Sequence, residues 1–156
     1  YRMRHPDRVS ALILIDSGPG YQSQEPRELW NQYAEGVATA LESGDPSAIA
    51  GSSETRSAKH RSTACLALAA RGMMKQYGTQ VIDSLKNVRV PTLIIVGADD
   101  QAFLAAAEVM ATKIPKAEKH VIPDAGHAPN LDQPKLFNEL VMGFLRKVEA
   151  ERSHLE

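Results

Sequence analysis

Two apolar runs set the tightest limit on how this chain can fold. They are Val9-Ser10-Ala11-Leu12-Ile13-Leu14-Ile15 and Val90-Pro91-Thr92-Leu93-Ile94-Ile95-Val96-Gly97. Both are rich in β-branched residues, and both stop at turn-forming residues: Asp16-Ser17-Gly18-Pro19-Gly20 after the first, Ala98-Asp99-Asp100 after the second. A strand with one wet face alternates apolar and polar side chains. A continuous apolar run bounded by turns fits a strand buried on both faces, as in a parallel sheet covered by helices. Lys119-His120-Val121-Ile122-Pro123 supplies a third, shorter strand.

The remaining sequence has helical texture. Residues Tyr1 to His5 read as the last turn of a helix stopped by Pro6-Asp7. From Glu25 the residues Leu29, Tyr33, Val37 and Leu41 recur every four positions and predict one apolar stripe, with Pro26 in the first turn and Gly44 as the stop. Asp45-Pro46 is a possible second start, Gly51 to His60 a polar loop, and Thr63 to Tyr77 a largely buried helix with Leu66, Leu68, Met73 and Met74. Thr79 to Leu85 gives a short helical piece, and Phe103 to Ile114 an alanine-rich helix. Pro134 to Val148 closes the chain, with Leu136, Phe137, Leu140, Val141, Phe144 and Leu145 on its packed face. Strand, helical excursion, strand, helix, strand, helix is an α/β order. No internal repeat and no low-complexity stretch interrupts it. The expected organisation is core residues 1–20, a helical insertion over 21–88, a second core part over 89–150 and a tail over 151–156.

Composition removes several classes of function. The chain has 156 residues, one domain's worth. Its net charge of −1 gives no basic field to attract nucleic acid or an acidic membrane. No apolar run approaches the roughly 20 residues that span a bilayer. Cys65 is the only cysteine, which excludes a disulfide within one chain and a cysteine zinc site, and fits a reducing, cytoplasmic setting. Its expected place is a buried small apolar position. No two of the five histidines stand at metal-ligand spacing, so no metal is expected. His5, His60, His120 and His154 read as surface residues.

In open parallel sheets the working residues gather just past the C-terminal strand ends. Three loops hold that position here: Asp16 to Gly20, Gly97 to Phe103, and Asp124 to Asn130. A catalytic histidine needs a carboxylate on one ring nitrogen to fix its tautomer and stabilise the imidazolium. His127, in Ala125-Gly126-His127-Ala128-Pro129, is the candidate base, with Gly126 expected to let the backbone turn. Asp100 is the candidate acid, since neighbouring parallel strands lie about 5 Å apart and their end loops can meet.

These segments resemble the α/β-hydrolase family. Val90 to Asp100 is similar to its acid-bearing strand, and Ile122-Pro123-Asp124-Ala125-Gly126-His127-Ala128-Pro129-Asn130-Leu131-Asp132-Gln133-Pro134 to its histidine loop and last helix. His5-Pro6-Asp7-Arg8-Val9 and Leu12 to Asp16 resemble the join between the helix behind the nucleophile and the next strand. The helical stretch between the first two strands matches the lid that many members insert. The resemblance implies a partial α/β-hydrolase fold: three parallel strands, flanking helices and a helical lid. In the family the acid usually stands three residues after the strand-end glycine, which from Gly97 is Asp100. Asp99 is the alternative beside it, and Asp16 the alternative if the acid follows the earlier strand. Trp30, Tyr33, Leu66, Met73 and Met74 are candidates to line a substrate cavity, with plain helix packing the competing reading.

The family nucleophile sits in a Gly-x-Ser-x-Gly turn, and this motif does not occur in the chain. Ser17-Gly18-Pro19-Gly20 lacks the preceding glycine and runs into proline. The family's oxyanion-hole loop is absent too. The expectation is therefore a hydrolase of esters or lactones, working without a cofactor on a small molecule, seen here as a piece that lacks its nucleophile and is inert alone. The start at Tyr1 and the scar-like Leu155-Glu156 fit a piece of a longer gene product. Such a piece would pair with a missing N-terminal half, or with itself, through the strand over 9–15. Alternatives within the fold are hydrolases of carbon–carbon bonds, epoxides or haloalkanes; the bulky aromatic that usually follows the histidine in the first of these is Ala128 here. Outside catalysis, the alternative is a binding or partner module derived from the fold.

Overall fold

The computed structural model describes residues 2–45 and 62–153. The expected second helix start at Asp45-Pro46, the polar loop to His60, and His154 with the Leu155-Glu156 tail lie wholly or in part outside the described residues. Within them the chain divides into two compact units, Tyr1–Pro19 with Ser84–Glu156, and Gly20–Asp83.

The first unit is built on a three-stranded parallel sheet in the order β1-β2-β3, with β1 Leu12–Ile15, β2 Thr92–Gly97 and β3 Ala117–Ile122. Leu12 pairs with Thr92 and Ile15 with Ile95 on one side of β2; Thr92 pairs with Ala117 and Gly97 with Ile122 on the other. Every residue of β2 is buried. Successive strand residues point to opposite faces. Leu93 and Ile95 therefore join Ile122, Ala125 and Phe144 in one core, against which Leu136, Phe137, Leu140, Val141 and Val148 of the last helix pack. Ile94 and Val96 face the other way, and helix Gln101–Lys113, which lies against β2 and β3, brings the buried Ala107 and Met110.

β1 departs from expectation. It was expected to be buried on both faces, yet it is half-buried, with Ile15 exposed. The reason is its place at the sheet edge, paired only to β2. The start of the chain also differs. Arg2 to Arg4 form a turn rather than a helix end, and Pro6–Arg8 make a 3-10 turn of their own with proline in its first position, where its missing N–H costs nothing. The last helix runs on past Val148, over Pro134–Ser153. Leu145, expected on its packed face, is exposed.

The second unit is helical. Its helices among the described residues are α1 Gln24–Glu42, α2 Thr63–Met73 and α3 Gln80–Ser84; the first unit carries α4 Gln101–Lys113, α5 Pro129–Asp132 and α6 Pro134–Ser153. Gly44, at φ +75°, takes the left-handed position that ends α1. The buried stripe of α1 is Ala34, Ala38 and Leu41, and that of α2 is Ala67 and Ala70. Small residues let the two helices approach closely, with Val37, Leu66 and Met74 filling the margins. Leu29, Tyr33, Leu68 and Met73, expected to be packed, are exposed, as is Cys65. The four-residue repeat of large side chains packs only at its C-terminal end, through Val37 and Leu41, and alanines set the rest of this contact. Arg71 of α2 then ties the helices together, meeting Glu35 at 2.7 Å and Glu42 at 2.5 Å on α1.

The alanine contact is open to direct test. Ala38→Leu forces extra methylenes into a closed interface and should destabilise the helical unit by about 1–3 kcal/mol, whereas Leu29→Ala should stay within about 0.5 kcal/mol of the parent. Urea unfolding followed by helical circular dichroism separates the two.

Candidate active site

The three loops that follow β1, β2 and β3 each deliver one titratable side chain to the same place. β1 ends at Ile15 and Asp16 follows at once, at φ +35°, with its N–H donating to Ile95 O at 2.9 Å. A left-handed aspartate is uncommon and costs energy unless the surroundings hold it. Here its Oδ1 accepts the N–H of Gly97 at 2.9 Å. Asp16 is only 6% exposed, and among the described residues its Oδ2 has no hydrogen-bond partner.

After β2 the chain turns tightly. Ala98 N–H donates to Ile122 O and Asp99 N–H to Ala125 O, so the acid loop is sewn to β3 and to the loop beyond it. Asp100 N–H returns to Gly97 O, and Asp100 O accepts from Phe103 and Leu104 at the start of α4. This fixes the direction in which the Asp100 side chain leaves. Asp99 is exposed and points away from this cluster of bonds only in its side chain; its backbone is part of the seam.

After β3 the turn is made at Asp124, at φ +52°. Gly126, expected to make it, is not in the left-handed region; its N–H instead donates to Asp132 Oδ2 at 2.9 Å. Asp132 stands on α5, a short helix that sequence patterning missed because four residues carry no period. Gly97 is the glycine that matters. A Cβ there would stand 2.2 Å from Gly126 O and 2.3 Å from Ala125 O, so the histidine loop can seat only on a residue without a side chain.

The outcome is a close pair. His127 Nδ1 lies 2.7 Å from Asp100 Oδ2, with Asp100 10% and His127 40% exposed at their side chains. The His127 ring also stands 4.8 Å from the ring of Phe103, a contact made by tertiary packing that no local pattern marks. Ligand-type atoms of Asp16, Asp100 and His127 all lie within 4.8 Å of one another. A tetrahedral zinc ion with bonds of about 2.0 Å would hold two of its ligands about 3.3 Å apart. Nδ1 and Oδ2 are closer than that, at the spacing of a shared hydrogen. Chemically, Nδ1–H donated to Asp100 leaves Nε2 with a free lone pair, the arrangement of a general base.

Burial raises the carboxyl of Asp16 from its ordinary 3.8 to about 6. The neighbouring Asp100 adds to the rise, while the Gly97 N–H and His127 work against it. The other candidates lie in the helical unit. Trp30 Nε1–H donates to Met74 O at 2.6 Å, and its ring stands 5.6 Å from that of Tyr33. Leu66 and Met74 pack on the alanine contact, while Tyr33 and Met73 are exposed. Among the described residues, no helix is long and apolar enough to cross a membrane.

A parallel sheet flanked by helices, with an acid and a histidine on adjacent strand-end loops, defines an α/β fold class. The chain belongs to the alpha/beta hydrolase family, whose model matches residues 2–140. Over 95% of its length it is 26% identical to a putative 2-succinyl-6-hydroxy-2,4-cyclohexadiene-1-carboxylate synthase of Bacillus subtilis, covering 61% of that protein. Over 90% of its length it is 29% identical to a pimeloyl-[acyl-carrier protein] methyl ester esterase of Aromatoleum aromaticum, covering 67% of it. A thermophilic esterase from Thermogutta terrifontis has a similar structure, with a TM-score of 0.69 and 29% identity over 94% of this chain and 59% of that one. The chain thus spans about three fifths of the length of the first relative and of the esterase structure.

The raised Asp16 carboxyl has a measurable consequence for stability. Between pH 3.8 and about 6 the folded chain keeps a proton that the unfolded chain has released, so stability falls as pH rises through this window and levels off above it. Asp16→Asn keeps an oxygen for Gly97 and tolerates positive φ, but carries no charge. At pH 7.5 it should be more stable than the parent by about 1–3 kcal/mol. Its denaturation midpoints should also lose most of the dependence on pH between 4 and 6; an unchanged slope would assign that dependence to another group.

Proposed function

We propose that this chain carries the acid and the base of a serine-type hydrolase that cleaves a small ester or lactone. The observation that carries the reading is the 2.7 Å contact between His127 Nδ1 and Asp100 Oδ2. It leaves Nε2 as the proton acceptor. The two esterase-named relatives at 29% identity favour an ester over the other bonds that this fold can cleave.

The chemistry runs through an acyl-enzyme. A serine hydroxyl gives its proton to His127 Nε2 as its oxygen bonds to the substrate carbonyl carbon. The tetrahedral intermediate expels the alcohol, which takes the proton from Nε2. Water then repeats the sequence on the acyl-serine, yielding the acid and restoring the hydroxyl. Asp100 accepts from Nδ1–H throughout and stabilises the imidazolium formed in each half. No step needs a cofactor. The serine and the oxyanion donors are not among these 156 residues as the Gly-x-Ser-x-Gly motif would present them. The reading therefore requires a segment outside them, and the outer edge of β1 is where such a segment, or a second copy, would add a strand.

Three variants distinguish the acid, assayed in the protein that contains both the nucleophile segment and these residues. Asp100→Asn should lower kcat by about 10³–10⁴-fold, as expected when the histidine loses its orienting carboxylate. His127→Ala should be at least as damaging. Asp99→Asn should stay within about three-fold of the parent, because the side chain is exposed and outside the pair. A large loss from Asp99→Asn with little from Asp100→Asn would reassign the acid.

A further inference from the structure

Asp16 is unexplained by the pair alone. Its backbone is in the left-handed region, its side chain is buried, and one of its oxygens is satisfied while the other is not. Positive φ, burial and an unpartnered carboxyl oxygen are three separate costs at one residue. They coincide beside Asp100 and His127, the groups that face Asp16 from the loops after β2 and β3. A buried polar atom left without a partner calls for a reason.

We propose that Asp16 is a positioning residue: anchored through Oδ1 on the Gly97 N–H, it turns its Oδ2 toward Asp100 and, as the neutral acid, donates that hydrogen to the carboxylate, holding it against His127. The inference rests on the assignment of Asp100 and His127 given above. One proton serves both ends. It gives the unpartnered Oδ2 a partner and removes the repulsion of two buried carboxylates at close range. Asp100 then keeps one oxygen for Nδ1–H and accepts from Asp16 on a remaining lone pair. The upward displacement of the Asp16 carboxyl, caused chiefly by burial and reinforced by Asp100, runs in the direction this arrangement requires. A single residue thus fixes the end of β2 and the charged partner that follows it three positions later.

Asparagine is the isostere of the neutral acid. Its oxygen can accept from Gly97 and its amide can donate to Asp100, whereas alanine can do neither. The imidazole of His127 reports the outcome by 15N-edited NMR on the Tyr1–Glu156 chain below about pH 6, where Asp16 keeps its proton. In the parent, Nδ1 should carry a hydrogen held by Asp100 and give a downfield, slowly exchanging Nδ1–H signal. Asp16→Asn should keep it, and Asp16→Ala should lower its intensity about two-fold or more, because an unheld Asp100 no longer protects that hydrogen from exchange. Parent-like spectra from Asp16→Ala would overturn the proposal, and so would a loss in Asp16→Asn equal to that in Asp16→Ala. If Asp16→Ala does not fold, carboxyl-carbon titration of the parent decides. The Asp16 and Asp100 signals should move together in one coupled step, and Asp16 titrating without response at Asp100 would overturn it. Asp100→Asn is the control for the underlying assignment: retention of the slowly exchanging Nδ1–H signal there would sink the Asp100–His127 pair itself.

Discussion

Three loops converge on Gly97 because it has no side chain. Its N–H holds Asp16, its carbonyl receives the N–H of Asp100, and the space where a Cβ would stand is filled by the carbonyls of Ala125 and Gly126. Each contact brings in one member of the cluster. Asp16 follows β1, Asp100 follows β2 and His127 follows β3. The register of the sheet sets the rest. With Ile15 beside Ile95 and Gly97 beside Ile122, all three strands finish close together, and the three side chains emerge at one level. Burial of β2 on both faces keeps that strand end from moving.

The electrostatics follow from this convergence. Two carboxylates in one partly buried place repel, and water is not there to screen them fully. Such a site either neutralises one acid or pairs one with a cation. The cluster has an imidazole that becomes cationic only when it takes a proton. Asp100 is bonded to that imidazole, and Asp16 is the carboxyl that burial drives upward. The division of labour parallels other sites where two carboxyls in different surroundings take different roles.

Much of this was legible in the sequence, for identifiable reasons. Apolar runs ending at Asp16 and Gly97 announced parallel strands, though only β2 is buried on both faces and β1 is half-buried at the sheet edge, and a histidine in Asp124-Ala125-Gly126-His127-Ala128-Pro129 announced its loop. The contact between Asp100 and His127 could be anticipated because strand spacing limits where adjacent loops go. The helical unit was less legible. Its contact is made by Ala34, Ala38, Ala67 and Ala70, whose small side chains carry little periodic signal beside exposed Leu29, Tyr33 and Met73. The role of Gly97 was also hidden. Its place at a strand end is plain from the sequence, while its effect depends on a close approach by Ala125 and Gly126, distant in the chain. Phe103 against His127, and Asp132 against Gly126, are likewise products of tertiary packing.

Under the proposed function, Asp100 and His127 are two parts of a site that a nucleophile from outside residues 1–156 completes. Complementation tests that most directly. The chain is assayed on p-nitrophenyl acetate alone, then mixed with a separately produced segment that carries a strand, a Gly-x-Ser-x-Gly turn and its helix from the same protein. Neither part alone should turn over the ester above the rate of free imidazole, and the mixture should show saturable hydrolysis that His127→Ala removes. Saturable hydrolysis by the chain alone, or by a mixture indifferent to His127→Ala, would contradict it.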